Sequence, residues 1–367
     1  ETIADADGTA EGVAVGGLLA AGMSIADVDL NPTMTNRIGS GASVTTTGAA
    51  SDLTVGMRVN NGVSNAGGAT ADATASSGSV GAAGSGTDAD ASVVYNMLQS
   101  TGSNVTLQAG RDLKVDLRVG NHVEADARNT AVGLGLAVGG ADSDARVSGS
   151  TTSDFTSASG GAGRQIMVDG TASHVVRADA TAGGGGVLSG QFTGANASFT
   201  PTLGVDLGSG TLAAGAGATV AMVSTADTTA TASGMQAGFG NIGSSTATAT
   251  MSPTVFAETG NQQLTAGGDI LVVARHNHNG TVATGQNTTA SAHCSRATCE
   301  ASAIWLPSST VAAAAALTTY SEGRLGFGGA VGANRGMGAV AGPGAGRGGT
   351  SSIRGGTESP STSRIAR

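Results

Sequence analysis

Large side chains are scarce in this chain. Only nine of its 367 residues are aromatic: Phe155, Phe192, Phe199, Phe239, Phe256, Phe327, Tyr95, Tyr320 and Trp305. Compact cores normally depend on such side chains. A conventional globular core is therefore excluded, and the interior has to be built from Ala, Val, Thr, Leu and close backbone approach. Charge is also sparse, at 12 % of residues, which is too little for a charge-rich disordered chain. No uninterrupted apolar run approaches the ~18 residues that a membrane helix needs, so no membrane-spanning segment is expected. Lysine is reduced to Lys114 beside sixteen Arg, and there are two Cys. A net charge of −9 and a pI near 4.9 disfavour nucleic acid as a partner. The chain opens at Glu1 without Met, which reads as a processed form or a piece of a longer protein.

What the chain has in excess is Gly, 62 residues of it, and internal repetition. An Ala-Asp-Ala motif at Asp5, Asp72, Asp126 and Asp179 degrades to Ala-Thr-Ala at Thr231 and Ala-Ser-Ala at Ser291, with steps of 67, 54, 53, 52 and 60. Proline closes a short strand at Pro32, Pro201, Pro253 and Pro307. The last two steps are 52 and 54, and the first, 169, spans about three periods. A turn followed by an alternating strand runs from Leu107 to Leu117 and returns from Leu264 to Ala274. With weaker copies at Leu53, Ile166 and Val220, the first strand residue falls at 53, 113, 166, 220 and 270.

One drifting period behind three markers predicts an all-β fold, a β-solenoid of irregular ~50–65-residue units, over residues 1–323. The markers stand roughly 15–27 residues apart, so each unit is expected to hold two to three rungs. Alternation sends Leu113, Val115 and Leu117 inward and Lys114, Asp116 and Arg118 outward. Asn61-Gly62, Asp169-Gly170 and Asn279-Gly280 are the expected turns. A helical body is excluded, because each interior Gly would cost a helix about 1 kcal/mol.

Residues 324–367 form a Gly/Arg/Ser-rich basic tail. It carries Arg324, Arg335, Arg347, Arg354, Arg364 and Arg367 against Glu358, a net of +5, which leaves −14 on the body. The plain reading is a flexible tail. The sharper reading makes the six Arg an assembly segment that docks on the acidic wall of a second copy, giving a head-to-tail homopolymer.

Candidate chemistry is thin. The acids recur as Asp-x-Asp pairs (Asp5/Asp7, Asp27/Asp29, Asp88/Asp90, Asp142/Asp144), and such recurrence reads as outward solvated charge, not as a glycosidic or Ca²⁺ site built once. His276, His278 and His293 are weak metal-ligand candidates, since their spacing fits no finger pattern. Cys294 and Cys299 enclose four residues and are either a disulfide closing a local loop in an oxidising compartment or two free thiols. No nucleophile elbow, phosphate loop or His-Glu-x-x-His motif occurs. No catalytic residue and no cofactor is therefore expected.

The Ala-Asp-Ala strand, the Gly-alternating stretch Ala131-Val-Gly-Leu-Gly-Leu-Ala-Val-Gly139 and the strand Ala266-Gly-Gly-Asp-Ile-Leu-Val-Val-Ala274 resemble the β-helical repeats of large bacterial surface proteins. These are the filamentous-haemagglutinin-like adhesins and autotransporter passengers. The resemblance covers residues 1 to 323 and implies secretion across an outer membrane, a long rod, and adhesion or assembly as its work. The expectation is a non-enzymatic extracellular structural protein, a subunit of a filament or surface fibre with an adhesive role. The alternative is a monomeric adhesin stalk that binds a host or neighbouring cell, with a cell surface or glycans as partner. The His276 to Leu306 stretch would be its tip. A polysaccharide-active β-helix enzyme ranks last, because aromatics to stack on sugar rings are lacking.

Overall fold

The computed structural model describes residues 1–60, 67–155 and 157–277. Beyond these it describes the backbone of strands at 288–294, 298–305, 308–312, 317–319 and 325–329. The described residues form strands and no helix. The first unit contains β1 (Ala6–Gly16), β2 (Leu19–Leu30), β3 (Thr33–Ile38) and β4 (Ser43–Thr45). The second contains β5 (Leu53–Val59), β6 (Gly68–Ser79), β7 (Ala82–Thr101) and β8 (Val105–Ala109). In the third are β9 (Asp112–Gly133), β10 (Leu136–Asp154) and β11 (Ala158–Ala162). In the fourth are β12 (Gln165–Gly185), β13 (Leu188–Phe199), β14 (Thr202–Asp206) and β15 (Ser209–Ala214). The fifth has β16 (Gly217–Ala237), β17 (Gly240–Met251), β18 (Thr254–Glu258) and β19 (Asn261–Ala266). The sixth has β20 (Ile270–His276), β21 (Thr288–Cys294), β22 (Thr298–Trp305), β23 (Ser308–Ala312) and β24 (Leu317–Thr319), and β25 (Leu325–Gly329) follows.

Every unit adds to the same three parallel sheets. Sheet A takes the strand that opens each unit, sheet B the returning strand, and sheet C the short strand that closes it. Pairing joins residues a whole unit apart, as in Leu136 with Leu188, Gln165 with Gly217 and Ser209 with Asn261. Two to three rungs per unit were expected, and the register corrects this: each unit contributes one strand, whole or in two pieces, to each sheet. Strands of about 20 residues in sheets A and B, far longer than the usual 5–6, take up the length.

The register also sorts the markers. Asp72, Asp126, Asp179, Thr231 and Ser291 stand side by side in sheet A, but the first member is Thr9 and not Asp5, which bonds the Gly68 amide instead. Pro32 and Pro201 stand next to β3 and β14, and the two positions that lack proline are Tyr95 and Gly149. Gly149 has φ +96°, and a Cβ there would run into the Tyr95 backbone. The Asp169-Gly170 step is not a turn: it lies inside β12, with Gly170 covered by Met222 of the next unit. Asn61-Gly62 and Asn279-Gly280 lie outside the described residues. Asn60, one residue before the first step, and Asn277, two before the second, take φ of 48° and 47°, which Asn tolerates better than most residues. Their side-chain amides stand in for backbone. Asn60 Oδ1 accepts from the Ala4 amide at 2.9 Å, and Asn277 Oδ1 accepts from Ala226 at 2.8 Å, so the ladder stays closed where the chain leaves it.

Sheets A and B face one another, and their inward positions set what lies between them. Leu113, Val115 and Leu117 point in and Lys114, Asp116 and Arg118 lie on the outer face, as the alternation predicts. Near sheet C the filling is large: Met57, Leu107, Leu117, Ile166, Phe199 and Leu203 are all fully enclosed. Towards the turn from sheet A to sheet B it falls to Ala, with Ala125, Ala127, Ala178 and Ala180 against Ala141, Ala145, Ala195 and Ala197. Alanine fills so little space that the sheets must approach closely there, and the remaining amides are accommodated by glycine. A Cβ on Gly139 would stand 2.7 Å from Asn129 Oδ1, and one on Gly184 would stand 2.5 Å from Gln191 Nε2.

Ion pairs tie successive units together at the other end of sheet A. Arg111 and Lys114 bond Asp52 at 2.7 and 2.6 Å, Arg164 bonds the enclosed Asp112 at 2.8 Å, and Arg58 bonds Asp116 at 2.9 Å. The Arg164 bond holds the Asp112 carboxyl below its ordinary value. Burial pushes Asp116 up, but the bonds from Arg118 and Arg58 outweigh it and hold this carboxyl low as well.

Candidate interaction surface

The turn from sheet A to sheet B recurs in each of the first five units, and each copy carries one apolar residue at its tip: Leu18, Val80, Leu134, Val187 and Phe239. Backbone bonds stack these turns, from Val80 N to Gly17 O, Leu134 N to Ser79 O, Val187 N to Leu134 O and Phe239 N to Val187 O. All five tips are exposed, and Phe239 reaches 96 %. The ridge continues onto the outer face of sheet B through Leu19, Leu136, Val138, Leu188 and Ile242. Soluble surfaces seldom leave so many large apolar side chains contiguous without a use.

Within this face the register builds a groove. Met23, Gly86, Gly140 and Phe192 form one row across β2, β7, β10 and β13. The two glycines are the floor, Met23 (72 % exposed) and Ile25 (54 %) form one wall, and Phe192 (52 %) forms the other. The volume is about 450 Å³. Two residues further along the strands the next row carries Asp88 and Asp142, and the one after it carries Asp27, Asp90 and Asp144. Arg146 bonds Asp144 at 2.9 Å and Asn196 bonds it at 3.1 Å. Among the described residues no cation is hydrogen-bonded to Asp27, Asp88, Asp90 or Asp142. Burial, then the charges of Asp142 and Asp27, push the Asp88 carboxyl up. Burial does the same to Asp90, where Arg146 pulls against it and Asp27, Asp88 and Asp29 reinforce it. Chemically this is an apolar slot that opens onto Asp88 and Asp142, two carboxylates with no cation bonded among the described residues, while Arg146 offsets part of the charge one row further on.

Of the residues singled out by sequence, the Asp-x-Asp pairs of β2, β7 and β10 border this groove, and the metal-ligand candidates lie elsewhere. His276 is in the interior, 6 % exposed, with Nδ1 3.2 Å from Ser224 Oγ and its ring stacked 6.1 Å from Phe199. Phe199 in turn lies 5.0 Å from the ring of His174, which is 6.1 Å from Tyr95, both pairs tilted, so four rings from three units make one contiguous row. Burial lowers the His276 pKa to about 4; burial and the His276 charge lower that of His174 to about 3. Among the described residues no group of three His, Cys, Asp or Glu could hold a metal ion, and no helix is long and apolar enough to cross a membrane. The side chains of His278, His293, Cys294 and Cys299, and residues Arg324, Arg335, Arg347, Arg354, Arg364 and Arg367, lie outside the described residues. Backbone register sets Cys294 opposite Gly234 and Cys299 opposite Ser245.

The groove is hidden in the sequence because large apolar residues are ordinarily interior. In Ala131 to Gly139 the reverse holds: Ala131 and Ala137 point in, and Val132, Leu134, Leu136 and Val138 point out. The signal was available as parity, since Ala125, Ala127 and Ala131 share one phase and Val132 falls in the other. No protein-family model matches the chain, and neither a curated protein nor a solved structure is similar to it.

Proposed function

We propose that the chain is a β-solenoid that works as an extracellular structural element, a subunit of a filament or surface fibre with an adhesive role, and that it is not an enzyme. The observation that carries this reading is the unit-by-unit register. Each unit adds one strand, whole or in two pieces, to each of three parallel sheets, so the construction has no internal reason to stop. Along β1 and β2 every residue but four is at least partly exposed, and the far edges of both strands are unpaired among the described residues. Unpaired edges invite a further strand, and a second copy with the same register supplies one. Carboxylates arranged in rows that repeat from unit to unit support a solvated wall more than a catalytic pair, which would be built once.

Negative-stain electron microscopy of the purified chain at low and high salt tests the proposal. Uniform fibres that shorten as salt rises are expected from head-to-tail assembly helped by opposite charges. Isolated rods of one length at both salts would overturn the filament reading and leave a monomeric stalk.

A further inference from the structure

The groove on sheet B raises a question that filament formation does not answer, because it faces sideways from the direction in which the units stack. Three occupants suit an apolar slot: a lipid surface, a second copy, or a segment of another protein. The carboxylates decide between them. Asp27, Asp88, Asp90 and Asp142 without a bonded cation would repel the headgroups of an anionic membrane. They would also oppose the same face of a second copy, since isologous contact sets like patches together. They would attract a cation.

The floor specifies more. Gly86 and Gly140 stand side by side, so nothing projects between Met23 and Phe192, which are three strand spacings or about 14 Å apart. The slot runs along the strands, and the step from the glycine row to Asp88 and Asp142 is two residues, about 6.6 Å at a strand's rise. An extended peptide has the same spacing between side chains on one face. A chain lying in the slot with an apolar residue over the glycines therefore brings its second-next residue to Asp88 and Asp142, and the one two further to Asp90 and Asp144.

We infer that this face is a docking site for an extended cationic segment of a partner protein, in which an apolar residue is followed at alternate positions by Arg or Lys. The apolar residue sits on Gly86 and Gly140 between Met23 and Phe192, and the cations meet Asp88 and Asp142 first. This holds whether or not the chain polymerises.

The test uses the full chain and an immobilised peptide, Gly-Ser-Leu-Ser-Arg-Ser-Arg-Ser-Gly, read by surface plasmon resonance. A second peptide of the same composition, with the two Arg adjacent and remote from the Leu, is the spacing control. Binding to the first peptide is expected to fall at least tenfold with the control peptide, with Phe192→Ser, and with Asp88→Asn combined with Asp142→Asn. Asp72→Asn combined with Asp179→Asn, the same charge change on the outer face of sheet A, is expected to leave it within twofold. All these side chains lie on outer faces, so the fold is retained. Equal losses from both double variants would reduce the effect to diffuse charge and overturn the inference, as would no binding or indifference to Phe192→Ser. Two further results would replace the partner: retention on phosphatidylcholine vesicles that Phe192→Ser abolishes, or a sedimentation coefficient that Phe192→Ser lowers.

Discussion

His174 offers a test of the interior that is read in kcal/mol. Its ring is 2 % exposed, neither ring nitrogen has a hydrogen-bond partner among the described residues, and it is packed between Tyr95 and Phe199. Burial holds its pKa at about 3, against an ordinary value of 6.5 in the unfolded chain. Between those values the unfolded state binds a proton that the folded state refuses, so stability is fully present above pH 6.5 and drains away as pH falls towards 3. Each pH unit in that window is worth 1.36 kcal/mol, which puts the loss from this one side chain at about 2.7 kcal/mol at pH 4.5. His276, with its pKa at about 4, adds a loss of similar size over the same window. Outer-face carboxylates such as Asp126 and Asp169, raised chiefly by burial, work in the opposite direction and gain stability as they protonate. Comparing variants at each pH cancels them. The assay is urea unfolding of wild type and His174→Leu at pH 7.5 and 4.5, with amide exchange along β12 as the local readout. At pH 7.5 the variant should be the more stable by about 1–3 kcal/mol, because two unpartnered nitrogens are gone. At pH 4.5 its advantage should widen by about a further 2.7 kcal/mol. An advantage that does not change with pH would refute the account of a neutral, enclosed imidazole.

Two other substitutions probe the packing. The repeat pattern invites Gly149→Pro, since Pro201 occupies the matching place in the next unit. At φ +96° the change is expected instead to lower the urea midpoint. Gly149→Ala should cost about 1–3 kcal/mol from backbone strain, and Pro more, because its ring holds φ near about −65°. Ala178→Leu, placed where Ala faces Ala between the sheets, should cost about 1–3 kcal/mol by overpacking, while Leu203→Met among the large side chains should cost less than about 1.5 kcal/mol. Equal costs at the two sites, measured by urea unfolding, would refute the grading from large to small filling.

Much of the fold was legible because it depends on local alternation. Ala in one phase and Asp or Thr in the other mark inner and outer faces wherever the chain is extended, which is why Asp72, Asp126 and Asp179 could be aligned by eye. The candidate surface was legible only in part. Its acid rows were visible as Asp-x-Asp pairs, but its groove was not, since Gly86 and Gly140 lie 54 residues apart in the chain and mean nothing until they are neighbours. The buried rings show the same limit. His276 beside His278 suggests a polar loop, and only the packing of three units puts its ring against Phe199.

By itself, then, the sequence determined that the chain is β, that it repeats in irregular units of ~50–65 residues, and which side chains share a face, because each of these follows from the order of neighbouring residues. The tertiary structure alone decided that a unit adds one strand to each sheet and not two or three, which apolar residues are left outside, and which polar ones are sealed in. Strand pairing is the physical reason. A parallel sheet is joined by hydrogen bonds between residues a whole unit apart, so the partner of a strand is not set by its neighbours in the chain.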